Sequence, residues 1–407
     1  AMGMSPVSRA LNAARWRSPP ARLRQKRLDF LSIHAKLGEP SATHMETATT
    51  QPGMSLVMTC YNTAPYAEAA ILSCLRQEYG GPLQFVLVND ASTDNTLEVI
   101  QATVATHGAG HDIEVVNLPQ NSGVAGATDA GWARAKYDWI IMIDGDDIQL
   151  PERCRLTAEL ISRYPEARMI TLSAQKFCAE GDLDIQSYCT GDYETAPEEM
   201  LLSTPQELAD NYLHRNARYR MNGFGCSMAF HRFLYESWGP LLKKEKPGAR
   251  FLQDTAWEMR AMLSAPVLGS RKLACRYRVH GQNAVSRWLT TTYKGVIQAE
   301  LFFGKMMQFR IGTFTHLLLD WHRAQNEKLT HWSEADMQEL HAFLTRKLNG
   351  SYACGNWWQA GLAEKLRRIR KYRFISDITV LRWGAPRLLP LWLFAALVKL
   401  GLIKQKG

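Results

Sequence analysis

Three carboxylates crowd into four residues at Asp144-Gly145-Asp146-Asp147, directly behind the apolar run Ile140-Ile141-Met142-Ile143. Carboxylates this close repel one another unless a cation or hydrogen-bond donors offset their charge. A hard divalent ion such as Mg²⁺ or Mn²⁺ takes oxygen ligands and bridges them to substrate phosphates, which is the chemistry this cluster suits. Gly145 allows the backbone to approach a ligand closely. The alternative is a solvated Asp-Gly turn, and placement at the end of a buried strand argues against it. A second acidic position, Asp90, follows the run Val86-Leu87-Val88-Asn89. It is placed to accept hydrogen bonds from a nucleotide base, whereas Ser92, Thr93 or Asp94 suits the role of helix cap.

These residues need a scaffold that gathers strand ends. Short apolar runs at 55–59, 85–88, 113–116 and 139–143 alternate with helical patterns at about 66–77, 96–106 and 124–136. That β-α-β-α-β-α-β order predicts a parallel sheet covered by helices. Ligands of such sheets bind outside the carboxyl ends of the strands, so Thr59-Cys60-Tyr61-Asn62, Asn89-Asp90, Asn117 and Asp144–Asp147 become the site candidates. A helix starting at Pro151 and a strand near 169–173 are expected next, then an acidic, loop-like stretch at 180–200. Strand, helix (252–263) and strand (272–279) follow, and from about residue 290 the pattern is mainly helical.

Taken together, several stretches resemble the family 2 glycosyltransferases of the GT-A fold. They are Leu56-Val57-Met58-Thr59-Cys60-Tyr61-Asn62, the N-D-A-S-T-D-N-T segment at 89–96, Asn121-Ser122-Gly123 and the D-G-D-D cluster. Gln253-Asp254-Thr255-Ala256-Trp257-Glu258-Met259-Arg260 looks like the family's acidic catalytic segment, and Tyr277-Arg278-Val279-His280 like a Y-R-x-H element of its bacterial members. The resemblance covers about residues 54–286 and rests on an ordered set of motifs rather than on any one. It implies an α/β fold: a Rossmann-like, mostly parallel sheet with helices on both faces, plus a helical C-terminal region.

The same resemblance implies a division of labour. Thr59, Tyr61, Asn62 and Asp90 would hold the nucleoside, with an Asp at position 90 suiting uridine. Asp144 and Asp146 would form the D-x-D, Asp146 as metal ligand and Asp144 on either the metal or the ribose, with His280 adding an imidazole ligand to Mn²⁺ or Mg²⁺. Asp254 would be the general base of an inverting transfer, its plainer alternative being a helix N-cap. Two departures are visible. Gln253 stands where members often have Glu, and Ala127-Thr128-Asp129 stands where many have Ala-Arg-Asn, which leaves the diphosphate contacts unassigned. No Q-x-x-R-W motif of processive synthases occurs, so a single addition is expected.

Charge divides unevenly along the chain. The net formal charge is +9 over 407 residues, yet residues 1–50 carry eight Lys/Arg against three Asp/Glu and residues 365–407 eleven against Asp377 alone. The middle is therefore mildly acidic, without the basic stripe of a nucleic-acid binder. Basic ends suit an anionic membrane surface. The eight cysteines are scattered with no C-x-x-C pair, so no structural zinc site is expected. No signal-peptide pattern is visible, which makes the cytoplasm the expected compartment.

Near the C-terminus a basic run (365–374) precedes an apolar one (388–399) with Trp392 inside it. The apolar run is too short to span a bilayer and reads as an interfacial helix, with a core helix as the alternative. Three regions are expected: a basic extension and linker (1–53), a catalytic domain (54–289) and a helical region (290–407) whose end, from about 365, associates with a membrane. The sequence thus points to a metal-dependent inverting glycosyltransferase at the cytoplasmic face of the inner membrane. It would use a nucleotide-sugar donor, a UDP-sugar, and a glycan or lipid-linked acceptor, in bacterial envelope or capsule glycan assembly. Its rivals are a nucleotidyltransferase and a non-catalytic membrane-attached scaffold that keeps a degenerate transferase fold.

Overall fold

The computed structural model describes residues 51–178, 181–186, 189–190, 197–213, 220–221, 224–241, 252–280, 293–355, 357–372, 386–400 and 402. The basic N-terminal extension and most of its linker lie outside these residues.

The expected alternation is present as β1 (Met54–Cys60), α1 (Ala64–Leu75), β2 (Leu83–Asn89), α2 (Thr96–His107), β3 (Asp112–Asn117), α3 (Gly123–Trp132) and β4 (Trp139–Asp144). It continues with β5 (Ile148–Gln149), α4 (Arg153–Arg163), β6 (Met169–Cys178), β7 (Gly181–Gln186), β8 (Cys189–Thr190), β9 (Glu199–Leu202) and α5 (Pro205–Leu213). Next come β10 (Arg220–Met221), β11 (Met228–His231), α6 (Arg232–Trp238), α7 (Gln253–Ser264) and β12 (Val267–Arg278). The chain then turns helical: α8 (Tyr293–Asn326), α9 (Glu334–Cys354), α10 (Leu362–Tyr372) and α11 (Leu391–Lys399).

One ten-stranded sheet runs β3-β2-β1-β4-β11-β6-β12-β5, with β7 on β6 and β9 on β12. Its leading four strands are parallel, in a register that sets Thr59 beside both Val88 and Asp144, and Asn89 beside Asn117. The strand ends therefore finish level, at one edge. Beyond β4 the sheet is mixed: β11 is antiparallel to β4 and β6, while β6 and β12 run parallel. The stretch read as a loop at 180–200 in fact contributes β7 and β9 to this sheet. Its acidic composition conceals a strand, β7, that folds back on β6 as a hairpin, and another, β9, whose partner β12 lies far along the chain.

Side chains alternate between faces, as a strand's period of two requires. Val57, Val86, Val88, Ile140 and Met142 pack on one side with α3 and α7. Leu56, Met58, Leu87, Ile141 and Ile143 pack on the other with α1, α2 and α4. The first of these cores does not stop at β12. Leu317 and Trp321 of α8 and Met337, Leu340 and Leu344 of α9 belong to it, so these helices share a hydrophobic core with the sheet.

A buried ion pair ties α7 to α8. Arg260 presents Nε and Nη2 to the two carboxylate oxygens of Asp320 at 2.7 and 3.0 Å, and its Nη1 donates to Gly239 O at 3.0 Å. Burial raises the Asp320 carboxyl, but the charges of Arg260 and His316 win and hold it well below the usual carboxylate range. Farther on, α11 packs on α8: Phe394 and Ala395 are buried in a cluster with Ile297, Trp358 and Val398. Arg387, just ahead of α11, pairs with buried Glu300 at 2.7 Å. No helix among the described residues is long and apolar enough to cross a membrane.

Asp320→Ala leaves the Arg260 guanidinium buried without its counter-charge, and the loss expected is about 3–5 kcal/mol of unfolding free energy. Chemical denaturation of the variant beside the parent chain measures it. A loss below about 1 kcal/mol, the range of exposed ion pairs, would contradict a locking role.

Candidate functional site

The register of β1 and β4 determines where the acidic turn sits. Thr59 O accepts from Gly145 N at 2.9 Å, which continues the strand pairing one step past Asp144. A Cβ at position 145 would stand 2.5 Å from Cys60 Sγ and 3.1 Å from Thr59 O, so only glycine lets the turn lie this close to β1.

From the other side the turn is gripped by β12. Because β5 follows Asp147 immediately and pairs with β12, Cys275 opposite Gln149, the end of β12 comes to lie beside the carboxylates. Arg278 N donates to Asp147 Oδ1 at 2.8 Å, and Arg278 Nε donates to the Asp146 carbonyl at 2.8 Å. The guanidinium lies over the rings of Tyr66 at 4.9 Å and Phe177 at 4.5 Å. Tyr66 also stacks on His280, with ring centres 4.7 Å apart, and His280 Nε2 lies 2.9 Å from Asp146 Oδ2. Two expected metal-site residues, Asp146 and His280, are thus in direct contact. Arg278 and Tyr66 were not expected to position anything. The Y-R-x-H element did contain Arg278, but Tyr66 comes from α1, and only the packing of α1 against the end of β12 reveals it.

The electrostatics follow from crowding and burial. Burial, then the charges of Asp146 and Asp254, push the Asp144 carboxyl up to about 7. Asp147 is fully buried, and burial followed by Asp146 and Asp144 raises it well above the usual range. Its Oδ2 is buried with no hydrogen-bond partner. An orphaned carboxylate oxygen beside a second carboxylate is what a divalent cation would satisfy. Ligand atoms of Asp144, Asp147 and Cys226 all lie within 4.8 Å of one another. Mg²⁺ and Mn²⁺ take hard oxygen donors rather than a thiol, so Asp144 and Asp147 are the donors that this group offers, while Asp146 and His280, 2.9 Å from each other, stand outside it.

Asp254 sits in the first turn of α7, whose N-cap is Leu252, so the capping alternative does not hold. Asp254 Oδ1 accepts from Thr255 N at 2.7 Å, and burial raises the carboxyl against that hydrogen bond. Its charge reaches Asp144, and a Cβ on Gly225 would stand 3.5 Å from Asp254 Cβ. Gly225 thus lies alongside Asp254, at ordinary contact distance. The helix itself is rigidly seated: Trp257 stacks on Trp132 at 4.3 Å.

At the ends of β1 and β2 the loops latch to each other. Asn62 (φ 54) donates its N–H to Ser92 Oγ at 3.0 Å, and its Oδ1 accepts from Thr93 N at 2.8 Å. Ser92 Oγ also donates to Asn89 Oδ1 at 2.6 Å, so Ser92 and Thr93 serve this latch, while Asp94 Oδ1 accepts from Thr96 N at 3.0 Å at the start of α2, whose N-cap position, Asn95, makes no side-chain capping bond. Asp90 is buried; Oδ1 accepts from Ser122 N at 2.7 Å and Oδ2 from Asn121 Nδ2 at 2.9 Å. Burial pushes its carboxyl up to about 6 against backbone hydrogen bonds from Ser122 and Gly123. Tyr61 is exposed and Thr59 half-buried on the same rim. Ala127, Thr128 and Asp129 are instead buried in the core side of α3, Asp129 accepting from Leu241 N at 2.8 Å. That segment has no access to the site, which leaves Arg278 as a cation placed directly against the acidic turn.

Residues 55–222 match the family model "Glycosyl transferase family 2". An uncharacterized glycosyltransferase of Haemophilus influenzae is 33% identical over 96 residues, which is 24% of this chain and 37% of that protein. The succinoglycan biosynthesis protein ExoO of Rhizobium meliloti is 30% identical over 169 residues, 42% of this chain and 44% of that one. This chain thus spans less than half the length of either relative. Among solved structures, Staphylococcus aureus TarS 1–349 in complex with UDP superposes with a TM-score of 0.48 at 18% identity, covering 86% of this chain and 88% of that one. The strand order and the acidic turn at the end of β4 agree with the GT-A fold.

Residues that orient metal ligands typically change metal affinity 10–100-fold when removed. Arg278→Ala is expected to weaken Mn²⁺ binding by about 10-fold or more, and Arg278→Lys to restore little of it, because a lysine lacks the forked donors. Titration of Mn²⁺ followed by electron paramagnetic resonance reads this directly. An Arg278→Ala affinity equal to that of the parent chain would refute the grip.

Proposed function

As residues 55–222 belong to glycosyl transferase family 2, we propose that the chain transfers a sugar from a nucleoside-diphosphate donor, a UDP-sugar, to a hydroxyl of a glycan or lipid-linked acceptor, with inversion at the anomeric carbon. The observation that carries this reading is the approach of Asp254 to the acidic turn, close enough for its charge to raise Asp144. Asp254 and the acidic turn thus lie within electrostatic reach of each other.

Each residue then has a task. Thr59, Tyr61, Asn62 and Asp90 hold the nucleoside. Asp90 keeps acceptor capacity beyond Ser122 and Asn121, since each carboxylate oxygen takes two hydrogen bonds. Asn62 acts through the latch that sets the shape of the rim. Asp144, Asp146 and His280 would hold Mn²⁺ or Mg²⁺, which when bound offsets charge on the departing nucleoside diphosphate. Asp254 takes the proton of the acceptor hydroxyl while that oxygen bonds to the anomeric carbon. The bond from that carbon to the diphosphate oxygen breaks, and the diphosphate leaves with its electron pair. Burial makes Asp254 a stronger base than an ordinary carboxylate, which suits proton abstraction near neutral pH.

Of the rivals, a nucleotidyltransferase usually offers a glycine-rich, basic phosphate loop after its first strand. Here Thr59-Cys60-Tyr61-Asn62 is latched to Ser92 and Thr93 instead. A scaffold with a degenerate site would have no need to hold Asp144, Asp146 and Asp254 together. The basic C-terminal end and a lipid-linked acceptor favour work at the cytoplasmic face of a membrane, in envelope or capsule glycan assembly.

The test is a screen of nucleotide sugars for Mn²⁺- or Mg²⁺-dependent turnover. Asp146→Ala is expected to lose the metal response. Asp254→Ala should lower turnover by about 10²–10⁴-fold while still binding nucleotide. Full activity in either variant would sink the role given to that residue. Asp90 adds a pH test. Its carboxyl is raised to about 6, so it is ionised at neutral pH and takes up a proton as pH falls through about 6. UDP affinity is expected to fall more steeply over that window in the parent chain than in Asp90→Asn. An equal pH slope in both would remove Asp90 from base recognition.

A further inference from the structure

We propose that the solvent-facing side of α10 is the surface by which this protein rests on an anionic lipid bilayer. The proposal rests on the membrane-side reading above and names the element responsible. The sequence directed attention to the apolar run at 388–399, but the structure turns Phe394 and Ala395 of that run onto α8, where both are buried.

One side of α10 is already occupied. Ile369 and Tyr372 pack with Phe303, Met307, Ala353 and Cys354. Lys365 is buried, with Nζ 5.0 Å from the Trp358 ring centre and 3.4 Å from Arg387 O. Leu362 and Leu366, one turn apart and 59% and 49% exposed, flank that packed side. Arg367, Arg370 and Lys371 are exposed beyond them, toward the side away from the packing. Exposed leucines are not spread evenly over this protein. Of the six large apolar side chains that are exposed among the described residues, four lie in this region: Leu362, Leu366, Leu400 and Leu402.

Apolar side chains that insert and cations that meet headgroups are the two components of interfacial binding. An open cleft of about 200 Å³ lies alongside, lined by Tyr352, Glu364, Arg367, Arg368, Lys371 and Tyr372. Glu364 engages Arg367 at 2.7 Å and Arg368 at 2.8 Å, so it fixes both guanidinium groups while the lining keeps more cations than anions. That is the chemistry for a lipid phosphate. A nucleic acid would use the same cations but would want stacking aromatics where the exposed leucines stand.

The experiment is flotation of the full chain with phosphatidylcholine vesicles, with or without phosphatidylglycerol. Binding is expected only when phosphatidylglycerol is present, and it should weaken at high salt. The triple substitution Arg367→Glu, Arg370→Glu, Lys371→Glu should reduce partitioning on the order of 100-fold or more. Leu362→Ser with Leu366→Ser should reduce it on the order of 10-fold or more. Unchanged thermal unfolding and unchanged nucleotide-sugar hydrolysis show that the variants are folded. Parent and variants floating equally well would overturn the role of α10 while leaving the membrane reading intact. A parent chain that floats with neither vesicle would remove both, and hydrolysis would still report on the transferase reading by itself.

Discussion

The acidic turn after β4 concentrates more negative charge than its own backbone can offset, and much of the architecture around it exists to hold that charge in place. β1 grips it through the Thr59 carbonyl and through the space that Gly145 leaves. β12 grips it through the amide and the guanidinium of Arg278. A turn with three carboxylates would, if free, swing its side chains apart into water. Fixed from both flanks, it keeps Asp147 buried with one oxygen unpartnered and keeps the Asp144 carboxyl far above its ordinary range. Crowded, buried carboxylates of this kind are where a cation would relieve the repulsion.

That arrangement explains why the sheet departs from parallel order beyond β4. A purely parallel continuation would have left the far side of the turn facing solvent. The antiparallel insertion of β11 and the return of β12 against β5 instead bring a second strand end to the same place. The same return delivers α7, whose first turn carries Asp254. The position of α7 depends in turn on Arg260 and Asp320, and so on α8. The helical region is therefore a structural partner of the candidate base as well as an appendage to the sheet.

How much of this was legible in the sequence differed with the range of the interaction. β1 to β4 and α1 to α3 were legible to within four residues at each end, because apolar periodicity and turn residues are local signals. Asp90, Asp144, Asp146 and Asp254 were legible as strand-end or helix-start residues with recognisable neighbours. Much of what stayed hidden depends on partners far along the chain. β9 looks like part of an acidic loop until β12 is there to pair with it. Tyr66 looks like one more aromatic of an amphipathic helix until Arg278 and His280 are placed against its ring. The segment 127–129, which departs from the family pattern, is buried, and that is visible only in three dimensions.

The rim residues illustrate the same limit from the opposite direction. Thr59, Tyr61, Asn62 and Asp90 occupy neighbouring strand ends, and spacing alone makes them equivalent candidates for nucleoside contact. Their surroundings separate them. Asn62 spends its amide oxygen and backbone N–H on the neighbouring loop, and Asp90 lies deep with two donors already in place. Tyr61 is exposed. A nucleoside approaching this rim would therefore meet one exposed aromatic side chain, one braced loop and one buried acceptor of raised basicity. Of these three, the buried acceptor is the group that would discriminate sharply against a base offering it no donor.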